Sequence, residues 1–214
     1  GFWRERQYDL MNQSFGGWIG EQGISFLIST VIGALVIAIV IWGISKSPKH
    51  WWIWGSGVTA AFLAMMILVT PVFISPLFNT YSEMPKGPLR DRIVAMAASQ
   101  NVPAEHIYVF DQSKQHKRIS ANVSGLGPTI RISLNDNLLT QSTPDEVAAV
   151  MGHELGHYVL GHVWKLVLSF TLIFTAAFWL ASRIVPWLLS RYGGRWKLRG
   201  VSDVAAIPVY AMVL

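Results

Sequence analysis

Cysteine is absent from this 214-residue chain. Its absence excludes disulfides and thiolate metal ligands, and it fits a reducing compartment. Charge is scarce as well: 14% of residues are charged and 52% are hydrophobic, against roughly 25% charged in soluble domains. Soluble globular proteins are not built this way. Acids are fewer than bases, 12 against 17, and after Glu154 the only acidic residue is Asp203. There is no internal repeat and no low-complexity tract. The chain opens on Gly1 rather than Met and stops at Leu214 inside an apolar run, so it reads as a piece of a longer protein, or one cut at both ends.

What the chain does have is long apolar stretches. Gln22 to Ser45 and Trp51 to Ser82 carry no charge, and seventeen uncharged residues separate Lys165 from Arg183. A spanning helix needs about 20 apolar residues to cross about 30 Å of hydrocarbon. Each stretch suffices, given tilt and snorkelling of Lys165 and Arg183. The expected spans are residues 24–44, 53–74 and 165–189, with a fourth, truncated helix starting at Ser202. Trp51, Trp52 and Trp54 mark an interface belt. Pro71 and Pro76 should kink or stop the second span. Net charge is +5 with a pI near 9.6. The basic residues lie in short loops beside apolar runs, which points to a lipid bilayer with its headgroups as partner and not to nucleic acid. Residues 1–21, with a turn at 12–17, read as a lead-in at the membrane surface.

Charge returns between residues 75 and 163. Leu89 to Gln100 has helical apolar spacing, with Ile93, Val94, Ala97 and Ala98 recurring on one side. Strands are expected at 107–110, 119–124 and 129–134, the last two joined by Gly125-Leu126-Gly127-Pro128. In the last strand Ile130, Ile132 and Leu134 alternate with Arg131 and Ser133, the pattern of a half-buried strand. Thr143-Pro144-Asp145-Glu146 is a helix start with N-cap, first-turn proline and capping box. That helix is expected to run to about His162. Its acids would be too unfavourable in lipid, at roughly 2.5–3.5 kcal/mol for an acid at mid-membrane. The fold class is therefore mainly α, a multi-pass transmembrane helical protein with a small α+β segment between membrane spans. Residues 1–74 form a lead-in and two spans, 75–163 the catalytic segment, and 164–214 a span, a basic loop and the truncated helix.

Inside the capped helix stands His153-Glu154-Leu155-Gly156-His157. Two histidines four apart lie about 6 Å from each other on one helical face, where they can share a metal ion. Neutral imidazoles suit zinc, so His153 and His157 are the candidate ligands of one Zn²⁺ and Glu154 the candidate general base. Glu154 would take a proton from water and pass it to the leaving amine. Gly156 within the motif is disfavoured by about 1 kcal/mol relative to Ala, which close backbone packing would explain. A catalytic site needs a third ligand. His162 lies nine residues after His153, about 180° around a continuous helix, and so points away as an interfacial or capping residue. The spacing of His162 after His157 also misses the metzincin pattern. Asp203 sits at the mouth of the truncated helix, so the third ligand is expected from the remainder of the same polypeptide. The strand at 119–124 is the expected sheet edge along which an extended peptide could pair. Rival readings are a non-catalytic membrane scaffold with a vestigial or structural metal site, and a transporter or channel with a buried His-Glu pair.

At these residues the chain resembles the type I CAAX prenyl protease family, integral-membrane zinc metallopeptidases. Tyr8-Asp9-Leu10-Met11-Asn12-Gln13-Ser14-Phe15-Gly16 resembles the family's G-F-N-K-Q-T loop. Pro71-Val72-Phe73-Ile74-Ser75-Pro76-Leu77-Phe78-Asn79 is similar to its P-x-F-I-x-P-L-F segment. Ser120-Ala121-Asn122-Val123 stands where the family has S-N-A-Y, and Gly152 to His157 matches its metal helix. The resemblance implies a helical membrane barrel around a water-filled chamber. It implies cleavage near the C-terminus of prenylated or other membrane-associated peptides. His153 and His157 would be zinc ligands, Glu154 the base, and Asn122 a contact to substrate backbone. The family's third ligand is a Glu in an E-x-x-x-D context, which is absent here. The basic loops at Lys46 to Lys49 and Arg191 to Arg199 would place the catalytic segment outside by the positive-inside rule. The resemblance places it on the cytoplasmic side, and that is the expectation adopted.

Overall fold

The computed structural model describes residues 1–103, 106–125 and 129–214. Most of the expected connection at Leu126-Gly127-Pro128 therefore lies outside the described residues. The chain forms two units, residues 1–24 with 65–163 and residues 25–64 with 164–214.

Among the described residues, three helical segments are long and apolar enough to cross a membrane: Phe15–Lys46, Trp51–Leu77 and His162–Tyr192. Their most apolar stretches are almost wholly exposed within the protein, as a lipid-facing surface requires. The first is α2 (Phe15–Lys46), preceded by the short α1 (Phe2–Gln7). The second begins as α3 (Trp51–Val69). Pro71 has no N–H to donate, and the backbone there widens into a π-helical turn over Thr70–Ile74. A 3₁₀ turn over Ser75–Leu77, holding Pro76, ends the segment where the sequence predicts a kink or stop.

The polar unit is built on a four-stranded sheet. Its strands are β1 (Tyr81–Glu83), β2 (Ile107–Phe110), β3 (Ala121–Ser124) and β4 (Arg131–Asn135), in the order β1-β2-β4-β3. Among the described residues, only the β2–β4 pair is parallel. α4 (Pro88–Ser99), α5 (Asp136–Gln141) and α6 (Pro144–Val159) complete the unit. Ile93 and Ala97 of α4, Ile107, Ile132, Leu134, Leu138, and Val147, Met151 and Leu155 of α6 form its core. The expected half-buried alternation of β4 is corrected here. Ile132, Ser133, Leu134 and Asn135 are each 1% exposed or less, because the strand lies between two neighbours with both faces covered. Arg131 lies over the rings of Tyr81 and Tyr108, at 4.9 and 5.8 Å, and donates to the Pro71 carbonyl. β1, α1 and α5 are short elements that the sequence reading does not include.

Asn135 holds the sheet to its loops. Its Oδ1 accepts the N–H of Ser120 at 3.0 Å and, as N-cap of α5, that of Leu138 at 2.9 Å. Its Nδ2 donates to Gln112 Oε1 at 2.8 Å and to the Arg118 carbonyl at 2.6 Å. Asn137 adds donations to the carbonyls of His116 and Arg118. The lead-in straps the same loop from outside. Met11 bridges His116, Arg118 pairs with Glu5 at 2.6 Å, and Lys117 pairs with Asp9 at 2.7 Å. β3, the strand this loop feeds, is thus fixed at its start.

The second unit packs Ile44, Trp51, Phe178, Ala181, Val185, Ala206, Val209 and Tyr210 together. They come from α2, α3, α7 (His162–Tyr192) and α8 (Ile207–Val213), with the turn Val204–Ala206. Gly55 admits the Phe178 ring, whose Cδ2 would lie 3.1 Å from an added Cβ.

Asn135→Ala should strand buried amide and carbonyl groups and destabilise the protein by at least about 2 kcal/mol, read by chemical denaturation. Thr143→Ala should remove the observed capping box of α6 and lower stability by about 1 kcal/mol. The backbone N–H and hydroxyl of Thr143 hold the Glu146 carboxyl below its ordinary 4.5. A depressed folded value stabilises above the unfolded value and stops doing so as pH falls through the folded one. The difference in melting temperature between wild type and Thr143→Ala should therefore narrow as pH falls below 4.5.

Candidate metal centre

α6 presents its motif because two faces of one helix have different tasks. Val147, Met151 and Leu155, at every fourth position, are buried in the core. At 100° per residue, His153 and His157 fall roughly opposite that stripe, and both are exposed. His153 Nε2 and His157 Nε2 stand 2.9 Å apart, with ring centroids 4.6 Å apart. Two ring nitrogens this close are a fitting pair of ligands for a zinc-type ion, whose Zn–N bonds are about 2.0–2.1 Å. Glu154 is half-buried beside them, with no hydrogen bond or ion pair among the described residues. Its carboxylate is not committed to a structural partner there.

His162 is not where the sequence reading puts it. α6 does not continue to His162 but stops at Val159. Leu160 N–H donates to the Gly156 carbonyl and Gly161 N–H to that of Tyr158, both at 3.0 Å. Gly161 takes φ +64, the left-handed conformation that ends helices and favours glycine. α7 starts anew at His162, whose Nδ1 comes to 2.6 Å from His157 Nδ1. The expectation that His162 points away rested on a continuous helix. The signal that corrects it was in the sequence: a glycine immediately before His162. The account of Gly156 also changes. Nothing lies within 4 Å of where its Cβ would be, so close backbone packing does not explain it.

Asn122 lies exposed on β3, opposite Ser133 of β4. β3 is an edge of the sheet, and α6 packs against it. Asp203 serves its own turn. Its carboxylate accepts the N–H groups of Arg199 at 2.9 Å and Ala205 at 3.0 Å, and these hold its carboxyl below the usual range. Among the described residues, no group of three His, Asp or Glu side chains is placed to hold a metal ion.

Spanning helices, an edge-stranded sheet and H-E-x-x-H on a capped polar helix are the features of the integral-membrane metallopeptidase class. Residues 83–211 match the model of peptidase family M48, and residues 1–80 match that of the CAAX prenyl protease N-terminal region, described as five membrane helices. The chain belongs to peptidase family M48, in its CAAX prenyl protease group. It is 30% identical over 206 residues to the uncharacterized metalloprotease YhfN of Bacillus subtilis, covering 96% of this chain and 48% of that protein. It is 34% identical over 163 residues to a CAAX prenyl protease 1 homolog of Dictyostelium discoideum, covering 75% and 38%. The crystal structure of Ste24p from S. mikatae superposes with a TM-score of 0.78 at 27% identity, over 85% of this chain and 43% of that one. The chain spans less than half the length of each of these relatives.

Gly161→Ala should force an L-residue into a left-handed conformation, destabilising by about 1–2 kcal/mol. Gly156→Ala, in open space within a helix, should stabilise by up to about 1 kcal/mol. Paired thermal melts would show the opposite signs.

Proposed function

We propose that the protein is a membrane-embedded zinc metalloendopeptidase acting on membrane-associated or prenylated, CAAX-type peptides. The observation that carries this reading is the pair of Nε2 atoms 2.9 Å apart on the exposed side of α6, next to an uncommitted Glu154. His153 and His157 would hold one zinc ion, with a third ligand supplied from the remainder of the same polypeptide; among the described residues no third His, Asp or Glu joins them. Bound zinc supplies an acidified water and a polarised scissile carbonyl. Glu154 would take a proton at its carboxylate from the attacking water and pass it to the leaving amine. β3 offers its free edge to an extended substrate, whose backbone Asn122 contacts. Residues 75–163 are the catalytic segment, working on the cytoplasmic side. The substrate class is supported by relatives named as CAAX prenyl proteases.

Full-length protein should bind about one zinc per chain. Glu154→Gln should keep that zinc and lose about 10²–10⁴-fold in peptide cleavage, the usual contribution of a general base. Cleavage at the wild-type rate by Glu154→Gln would sink the mechanism. A second reading, a non-catalytic membrane scaffold with a structural metal site, is favoured by the lack of a third ligand among the described residues. It predicts bound metal without turnover in the full-length protein.

A further inference from the structure

We propose that His162 is a positioning residue for the metal centre, holding His157 in the tautomer that frees its Nε2 for the ion. The proposal rests on the reading of His153 and His157 as zinc ligands. His157 faces a different histidine with each ring nitrogen. Nε2 lies 2.9 Å from His153 Nε2, and Nδ1 lies 2.6 Å from His162 Nδ1. The His157 and His162 rings meet edge to face, with centroids 4.8 Å apart and planes at 69°. His157 Nδ1 has no other hydrogen-bond partner among the described residues.

A neutral imidazole has one N–H and one lone pair. If both Nε2 atoms turn lone pairs toward a shared cation, the proton of His157 must sit on Nδ1. There it donates to His162 Nδ1, which is then the acceptor, and His162 carries its own proton on Nε2. One tautomer assignment thus satisfies both short contacts. His162 cannot serve as the third ligand in this arrangement, since it meets the ring nitrogen facing away from His153. Ligating histidines are normally oriented by a carboxylate or carbonyl on their second nitrogen. A neutral imidazole in that role fixes the ring without adding negative charge to the centre. The device depends on the break at Gly161. On a continuous helix, His162 would lie about 140° around from His157, out of reach.

The test uses full-length protein in nanodiscs, with His162→Leu and His162→Gln. Leu removes the acceptor while keeping bulk and helix preference, and Gln restores an acceptor oxygen. Zinc affinity is read by chelator competition, and the number of zinc-bound imidazoles by X-ray absorption. His162→Leu should bind zinc about 10–100-fold more weakly, as for other orienting partners, with the imidazole count unchanged. His162→Gln should recover most of the affinity. If His162→Leu proves unfolded, the proposal stands or falls on His162→Gln: affinity near wild type with an unchanged count supports it, and loss of an imidazole overturns it. Leu and Gln variants both binding as wild type overturn it. An imidazole count that falls by one in folded His162→Leu makes His162 a direct ligand and overturns it. Wild-type protein that binds no zinc overturns the underlying metal reading, and the proposal with it.

Discussion

Hydrocarbon offers no hydrogen bonds, and the rest of the structure follows from that constraint. A backbone crossing it must satisfy its own amides, so the apolar stretches become α2, the Trp51–Leu77 segment and α7. Polar chemistry cannot be carried on those surfaces. The histidines and Glu154 sit instead on α6, within a unit that has its own core and sheet. Where a spanning segment departs from α geometry, at Pro71, the buried residue's carbonyl accepts from Arg131.

Inside the polar unit the same demand for hydrogen bonds fixes positions. β4 is buried on both faces, so Asn135 at its end must find partners for every polar atom of its side chain. It finds them in Ser120, Leu138, Gln112 and Arg118, and in doing so sets the start of β3 and of α5 together. α6 then packs its apolar stripe on this frame, and the stripe determines the outward direction of His153 and His157. The lead-in adds a second tie, from Glu5 and Asp9 to Arg118 and Lys117. β3, an edge strand among the described residues, is thereby held at its start.

Much of this was legible from local pattern. The three spans, the helix Pro88–Ser99, the strand Ile107–Phe110 and the capping box at Thr143 emerge from hydropathy, period and cap chemistry, all of which act within a few residues. The misses in the sheet share a cause. Ser133 reads as the outward position of an alternating strand, yet burial of β4 depends on neighbours distant in sequence. β1 is three residues long and exists only because β2 is there to pair with it.

The sequence by itself determined the membrane class, the polar segment between spans, and the motif His153-Glu154-x-x-His157, because hydropathy and a four-residue spacing are properties of the chain. The tertiary structure decided the order of the strands, and with it that β3 is an edge. It also decided the place of His162. Whether a helix runs on or breaks at Gly161 changes the direction of every later side chain, and that backbone choice brings a third imidazole to His157. A periodic reading of α6 pictures one helix where the chain has two.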